Sequence, residues 1–331
     1  MEYPVIDNSL RLARLQPPQG KVRMVLDTDT YNEIDDQFAV VHALLSPDEM
    51  TVEAIYAAPF YNLRASSAGD GMEKSYEEIA RLLDRLNVSP ENLLYRGADQ
   101  FLPDLEHPVE SPAALDLVER AMQATNEPLY VVAIGAATNV ASAILMEPRI
   151  MEKIVVIWLG GHGLHWAKNA AFNLAGDVLS SRVIMDCGVP LVMIPCKGVT
   201  THLRTTVPEI ERFVQGRGAI GDYLTEIFKA YHDDHFAWSK EIWDIVCIAY
   251  LINASWSPSN IISSPIISQS AAGDIRSEPH QEAWRSLPLS WSFDDSRHPI
   301  RYVYHVERDP IFADLFKKLD KWAAGHIKIQ V

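Results

Sequence analysis

Six short runs rich in Val, Ile and Leu punctuate the first 195 residues, at 22–26, 52–57, 93–95, 129–134, 154–159 and 191–194. Amphipathic helical patterns lie between them, at 36–46, 73–86, 113–124, 139–146 and 178–186. A strand that is apolar on both faces must be covered on both faces. Strict strand–helix alternation favours crossovers over hairpins. The pattern therefore predicts an α/β fold with a mostly parallel sheet flanked by helices on both faces. After Pro195 the rhythm changes. Helical stretches are expected near 209–214, 222–236 and 240–253, then loops with short strands through the Ser-, Pro- and Trp-rich residues 254–306, then a helix near 310–324. No linker-like break or internal repeat interrupts the chain. Residues 1–331 thus read as a single domain, with 1–20 as an N-terminal arm and 208–331 as a helical and irregular cap region.

A hydrophobic content of 48% over 331 residues supports a large core. The net charge, 29 − 44 = −15, disfavours nucleic acid and anionic membrane as partners. Cys187, Cys196 and Cys247 have no metal-ligand spacing and read as reduced and buried. Residues 1–20 lack the apolar stretch of a signal peptide, so a cytoplasmic location is expected. The uncharged segment 129–146 is interrupted by Gly135, Thr138 and Asn139, and reads as a buried strand turning into a buried helix rather than a membrane span.

The first strand leads into Val-Leu-Asp-Thr-Asp-Thr-Tyr-Asn-Glu-Ile-Asp-Asp at 25–36, which holds Asp27, Asp29, Glu33, Asp35 and Asp36 within ten residues. Like charges this close repel, and they are tolerable if the turn is solvated or if a cation sits among them. A loop at the carboxyl end of a strand is also where open α/β sheets place ligands. Other element ends carry polar signatures too. These are Gly135-Ala136-Ala137-Thr138-Asn139, Gly160-Gly161-His162-Gly163, Ala171-Phe172-Asn173, Thr201-His202 and Trp243-Asp244.

Together these motifs resemble the nucleoside hydrolase family, calcium-dependent N-ribohydrolases that split nucleosides into ribose and base. The resemblance covers roughly residues 21–255 and is most specific in the Asp-x-Asp…Asp-Asp turn. It implies that Asp29 both touches Ca2+ and acts as general base. It further implies that Asp36 is a bidentate calcium ligand, that Thr138 gives its backbone carbonyl and that Asp244 is a late carboxylate ligand. Asp35 and Asn173, with Asn62 as a third, would bind ribose hydroxyls, and Asp27 would orient the turn from behind. The implied partner is a small-molecule nucleoside, and the implied assembly a homo-oligomer, dimer or tetramer. An all-oxygen ligand set suits calcium and argues against zinc. Around this set, His162, His165 and Trp166 read as site-lining or as ordinary loop packing. His202 reads as support for the calcium side or as a satisfied core histidine.

The chain departs from the family pattern in four places. Its turn is two residues longer between the second and third aspartates, with 30–34 intervening, so Asn32 or Glu33 could replace one contact. Ala171 stands where many members have Glu before Phe-Asn, and Asn169 is a candidate replacement. No His-Gly stretch is evident near 97–105. Trp243 stands where many members have His before the late Asp. An indole cannot protonate a leaving base at neutral pH, but its face can stack on a purine. The Trp-Asp pair resembles the purine-preferring branch.

Two rival readings differ in class. Residues 26–30 also match the Asp-x-Asp-x-Thr turn of haloacid-dehalogenase-type phosphotransferases, with Asp27 as nucleophile and magnesium as the metal. The missing Glu and His also fit a non-catalytic nucleoside- or sugar-binding protein on the hydrolase scaffold. His232 and His235, three apart, read as a solvated helix end rather than a zinc site.

Overall fold

The computed structural model describes residues 3–123, 125, 127–269 and 287–331. The arm carries a helix, α1 (Asn8–Arg14), capped by the Asp7 side chain. Strand β1 (Val22–Thr28) feeds α2 (Asp35–Leu44), followed by β2 (Met50–Ala57) and α3 (Ala68–Arg85). The alternation continues through β3 (Leu94–Arg96), α4 (Pro112–Met122), β4 (Leu129–Ala133), α5 (Thr138–Met146) and β5 (Ile154–Leu159). Then come α6 (Phe172–Gly176), α7 (Val178–Asp186), β6 (Leu191–Ile194), β7 (Arg204–Thr205), α8 (Val207–Phe213) and α9 (Gly218–Ala230). The remainder is β8 (Lys240–Glu241), α10 (Ile245–Ile252), β9 (Ser259–Ser263), β10 (Ile266–Gln269), β11 (Leu289–Ser292), β12 (Pro299–Val303) and α11 (Arg308–Ala323).

The six apolar runs form parallel neighbours in a sheet ordered β3-β2-β1-β4-β5-β6-β12-β9. Only the outermost pair, β12 with β9, is antiparallel. Alternate residues of each strand serve opposite cores. Met24 and Leu26 of β1 pack with the layer that holds α2 and α10, while Val25 packs with the layer that holds α4, α5 and α7. The strand order reverses between β1 and β4. The two chain ends leaving those strands cannot be bridged there by a crossover helix, and a crevice opens at their carboxyl ends. The acidic turn and the Gly135 turn meet at this point.

Three expectations need correction. Residues 208–331 are not a mere cap, because β9 and β12 extend the main sheet. Short strands were expected within 254–306, but their place in the main sheet was not, since β9 is a polar edge strand, half exposed along its length. The helix expected at 222–236 stops at Ala230, and the stretch 240–253 opens as β8 before α10 begins at Ile245. Cys196 is only partly buried, although Cys187 and Cys247 are buried, and all three are free thiols. The expected loops and strands at 254–306 include residues 270–286, which lie outside the described residues. Among the described residues, no helix is long and apolar enough to cross a membrane.

Candidate active site

Asp27, Asp29, Asp35, Asp36 and Asp244 are each at most 4% exposed. The fold brings them together because β1 delivers the first two, the start of α2 the next two, and the start of α10 the last. Acids are favoured in the first turn of a helix, where free N–H groups and the helix dipole meet them. Asp35, Asp36 and Asp244 each present an oxygen within 4.8 Å of the other two. Asp36 also accepts from the Thr28 hydroxyl, and Asp35 Oδ2 accepts the Trp243 N–H at 3.3 Å.

Neither oxygen of Asp29 has a protein partner among the described residues, although the residue is fully buried. A buried polar group without a partner is costly, and a buried charge more so. Its carboxyl lies against Gly135, where an added Cβ would sit 3.0 Å from the carboxyl carbon. A side chain at 135 would press on Asp29, and glycine leaves its carboxyl room. Asp27 is held differently. Its Oδ1 accepts from Asn139 Nδ2 at 2.7 Å, while Asn139 Oδ1 accepts the Ala98 N–H at 2.7 Å. Asn139 thereby ties the end of β1 to the loop after β3.

Burial and crowding raise every carboxyl here. Burial pushes Asp27 up to about 7 against the Asn139 bond, and burial with the Asp35 charge pushes Asp36 up to about 8. Asp29 and Asp244 are raised well above the usual carboxylate range, by burial first and by neighbouring aspartates next. Lys240 is the buried cation nearby. Burial would lower its ammonium, but Asp35 and Glu33 outweigh that and hold it above its ordinary value. A donor set made of hard oxygens, negative, desolvated and including two unpartnered oxygens on Asp29, fits a divalent cation of the calcium type.

A cavity of about 180 Å³ opens over this cluster. Asp35, Asp36, Asp244, Asn173 and Trp243 line it, together with Asn32, Glu33, Ile134, His162, Ala171, Cys196 and Lys197. Asn173 spends both amide hydrogens on the strand-end carbonyls of Ile134 and Leu159, at 2.8 and 2.9 Å. Its Oδ1 has no protein partner among the described residues.

Several expected site residues lie elsewhere. Thr138 is the first residue of α5, so its carbonyl points along the helix, and its hydroxyl donates to Asp177 at 2.7 Å. It does not line the cavity, whereas Ile134, at the end of β4, does. The Asn62 amide donates to the backbone and side-chain oxygens of Asn32, and Asn62 is not on the cavity wall. His165 and Trp166 are exposed and outside the cavity, where His162 takes their place. His202 bonds the Val306 carbonyl at 2.7 Å and stacks on His305, away from the carboxylates. Asn169 is fully buried off the wall, and its Oδ1 accepts the His162 N–H at 2.8 Å. The His232 and His235 rings gather around Trp238 beyond the end of α9 and join no metal-competent cluster among the described residues. Asp27 and Asp29 are both fully buried and neither lines the cavity wall; they differ in that Asp27 is tied up by Asn139, which speaks against the phosphotransferase reading, whereas the Asp29 oxygens are left without a partner among the described residues. Sequence reasoning missed Lys240 and the job of Asn139. The pairing of Asn139 with Asp27 becomes visible only once β1 and β4 are known to be adjacent.

The family model for inosine-uridine preferring nucleoside hydrolases matches residues 24–312. The chain is 30% identical over 239 residues to the pyrimidine-specific ribonucleoside hydrolase RihA of Klebsiella pneumoniae strain 342, covering 64% of this chain and 72% of that protein. The protein of the same name from Escherichia coli O1:K1 is 30% identical over 240 residues, with the same coverage. Among solved structures, a purine-preferring ribonucleoside hydrolase from Gardnerella vaginalis superposes with a TM-score of 0.67 at 18% identity, covering 91% of this chain and 99% of that one. A plant nucleoside hydrolase gives 0.66 at 18% identity, covering 90% and 98%. At such identities the solved structures speak for the fold.

Proposed function

The chain belongs to the inosine-uridine preferring nucleoside hydrolase family and is a nucleoside hydrolase, and on that premise we propose that it cleaves purine-leaning ribonucleosides to ribose and free base with bound calcium. The observation that carries this reading is the fully buried, unpartnered Asp29 carboxylate beside the Asp35, Asp36 and Asp244 cluster. The cavity over that cluster is walled by Asp35, Asp36, Asp244, Asn173 and Trp243, which gives it polar groups for a sugar and an aromatic face for a base. Asp29, Asp36 and Asp244 would hold the calcium, with the Ile134 carbonyl replacing that of Thr138. A bound calcium would act as a Lewis acid that activates water near neutral pH and grips ribose hydroxyls.

The residues of the chain do the rest. Asp29 takes the proton of the attacking water as that oxygen closes on the anomeric carbon. The glycosidic C–N bond breaks with its electron pair leaving on the base, through an oxocarbenium-like sugar. Asp35 and Asn173 Oδ1 orient the sugar hydroxyls and so fix the face that water attacks. Trp243 offers no acidic proton, and its ring holds the base by stacking. The Trp243 face favours the larger purine ring, whereas the RihA relatives are named for pyrimidines. Turnover of inosine, guanosine, uridine and cytidine decides between the two. Purines are expected to lead; faster pyrimidine turnover would remove the stacking argument and leave the hydrolase reading intact. A homo-oligomer, dimer or tetramer, belongs to the same proposal and is checked by light scattering.

A further inference from the structure

The turn between Asp29 and Asp35 is fastened at three points. Asn62 Nδ2 donates to Asn32 O at 3.3 Å and to Asn32 Oδ1 at 2.7 Å. Arg64 Nη1 donates to the carbonyls of Tyr31 and Glu33, at 3.4 and 3.1 Å, and its guanidinium lies over the rings of Tyr31 and Tyr231. Lys240 Nζ, on a side chain only 6% exposed, pairs with Glu33 Oε2 at 2.6 Å. The backbone and one carboxylate oxygen of Glu33 are therefore fixed. Its side chain is 39% exposed on the cavity wall, and Oε1 has no protein partner among the described residues.

Ala171 lines the same cavity with a methyl group, and the buried Asn169 cannot make up for a missing acid there. A ribose gripped by its 2′- and 3′-hydroxyls at the Asp35, Asp36 and Asp244 end has one further sugar donor, the 5′-hydroxyl. Among the described residues, Glu33 is the one other carboxylate on the wall that could meet it. We propose that Glu33, clamped by Lys240, is a specificity-determining residue whose Oε1 accepts a hydrogen bond from the ribose 5′-hydroxyl. The same carboxylate repels a 5′-phosphate, which restricts the site to free nucleosides over nucleotides. This rests on the hydrolase reading of the same cavity.

The test compares kcat/KM for inosine, adenosine, 5′-deoxyinosine and inosine 5′-monophosphate in wild type, Glu33→Ala and Glu33→Gln. Wild type is expected to favour inosine over the 5′-deoxy compound by roughly 10- to 100-fold, the range for a hydrogen bond to a charged group. Glu33→Ala should lose most of that preference and admit the monophosphate better. Glu33→Gln keeps a neutral acceptor and should fall between, and it carries the test if the alanine variant does not fold. A preference for inosine over 5′-deoxyinosine that is unchanged in both variants would overturn the assignment. So would lost discrimination between adenosine and inosine with the 5′ preference intact. Wild type that releases no ribose from any ribonucleoside would instead overturn the hydrolase reading and take this assignment with it.

Discussion

The two ends of α2 bury charge in opposite ways. At its start, Asp35 and Asp36 crowd against Asp244 with Asp29 close enough to feel their charge, and the two Asp29 oxygens have no protein partner among the described residues. At its end, His42 Nε2 bonds Asp314 Oδ2 at 2.7 Å. Lys318 Nζ then reaches Asp314 at 2.9 Å, Glu49 at 3.3 Å and the Ser46 hydroxyl at 2.9 Å. Burial pushes Asp314 up, yet its His42 and Lys318 partners outweigh burial and keep it below the usual carboxylate range. At Asp29 the neighbouring aspartates add to burial, and only a backbone hydrogen bond opposes them. One end closes its own electrostatics and serves structure. The other end is left open, and on the proposed reading a cation from outside the chain completes it. A buried charge cluster that its own fold does not neutralise is therefore the mark of function here.

The largest expected contrast comes from one substitution at each end. Asp29→Asn should lower ribose release on the order of 10³-fold, the usual scale for losing a general base. Without calcium it should unfold no more easily than wild type, because it removes a repelling charge. Asp314→Asn should do the reverse, with activity within a few-fold of wild type and a stability loss of about 2 kcal/mol for bonds to charged partners. Ribose assays and urea unfolding on both variants check this, and a matched loss of stability in the two would erase the contrast.

A smaller effect is expected at the base. Trp243→Ala should lower the purine-to-pyrimidine ratio of kcat/KM by roughly 10-fold, as expected for loss of an aromatic stack. An unchanged ratio would return Trp243 to a packing role.

The smallest effect concerns pH and the closed end of α2. Burial lowers His42 below its ordinary value despite Asp314, and Nδ1 has no partner among the described residues, as suits a neutral ring. Above pH 6.5 the ring is neutral in both states and its contribution to stability is complete. Below 6.5 the unfolded chain takes up a proton that the folded chain refuses, so stability falls as pH falls. His162 and His298, both pushed down to about 4 chiefly by burial, act in the same direction. Wild type should lose stability relative to His42→Asn between pH 6.5 and 5, by at most about 1.4 kcal/mol per pH unit. Urea unfolding at several pH values measures it, and a parallel pH dependence in the two proteins would contradict it.

What could be read from the sequence follows the same division. The six parallel strands were legible because burial on both faces leaves a continuous apolar run. The acidic turn was legible because so many like charges stand so close together. Thr138 was misplaced because a motif gives the order of residues but not which carbonyl leaves a helix axis free. Asn62, His165 and Trp166 were misplaced because loop paths decide which side chains reach a cavity. The Lys240–Glu33 pair joins residues 207 positions apart through the fold alone. The place of β9 and β12 in the main sheet was obscured by the polar pattern of an edge strand and by the Ser- and Pro-rich stretch around them.

The most direct test of the open end is a calcium titration of chelator-treated protein, read by metal bound per chain and by ribose released from inosine. The account predicts one calcium per chain, with release rising in step with binding, and neither binding nor release in Asp36→Asn or Asp244→Asn. Full ribose release by the chelated protein, or calcium binding that survives both substitutions, would contradict it.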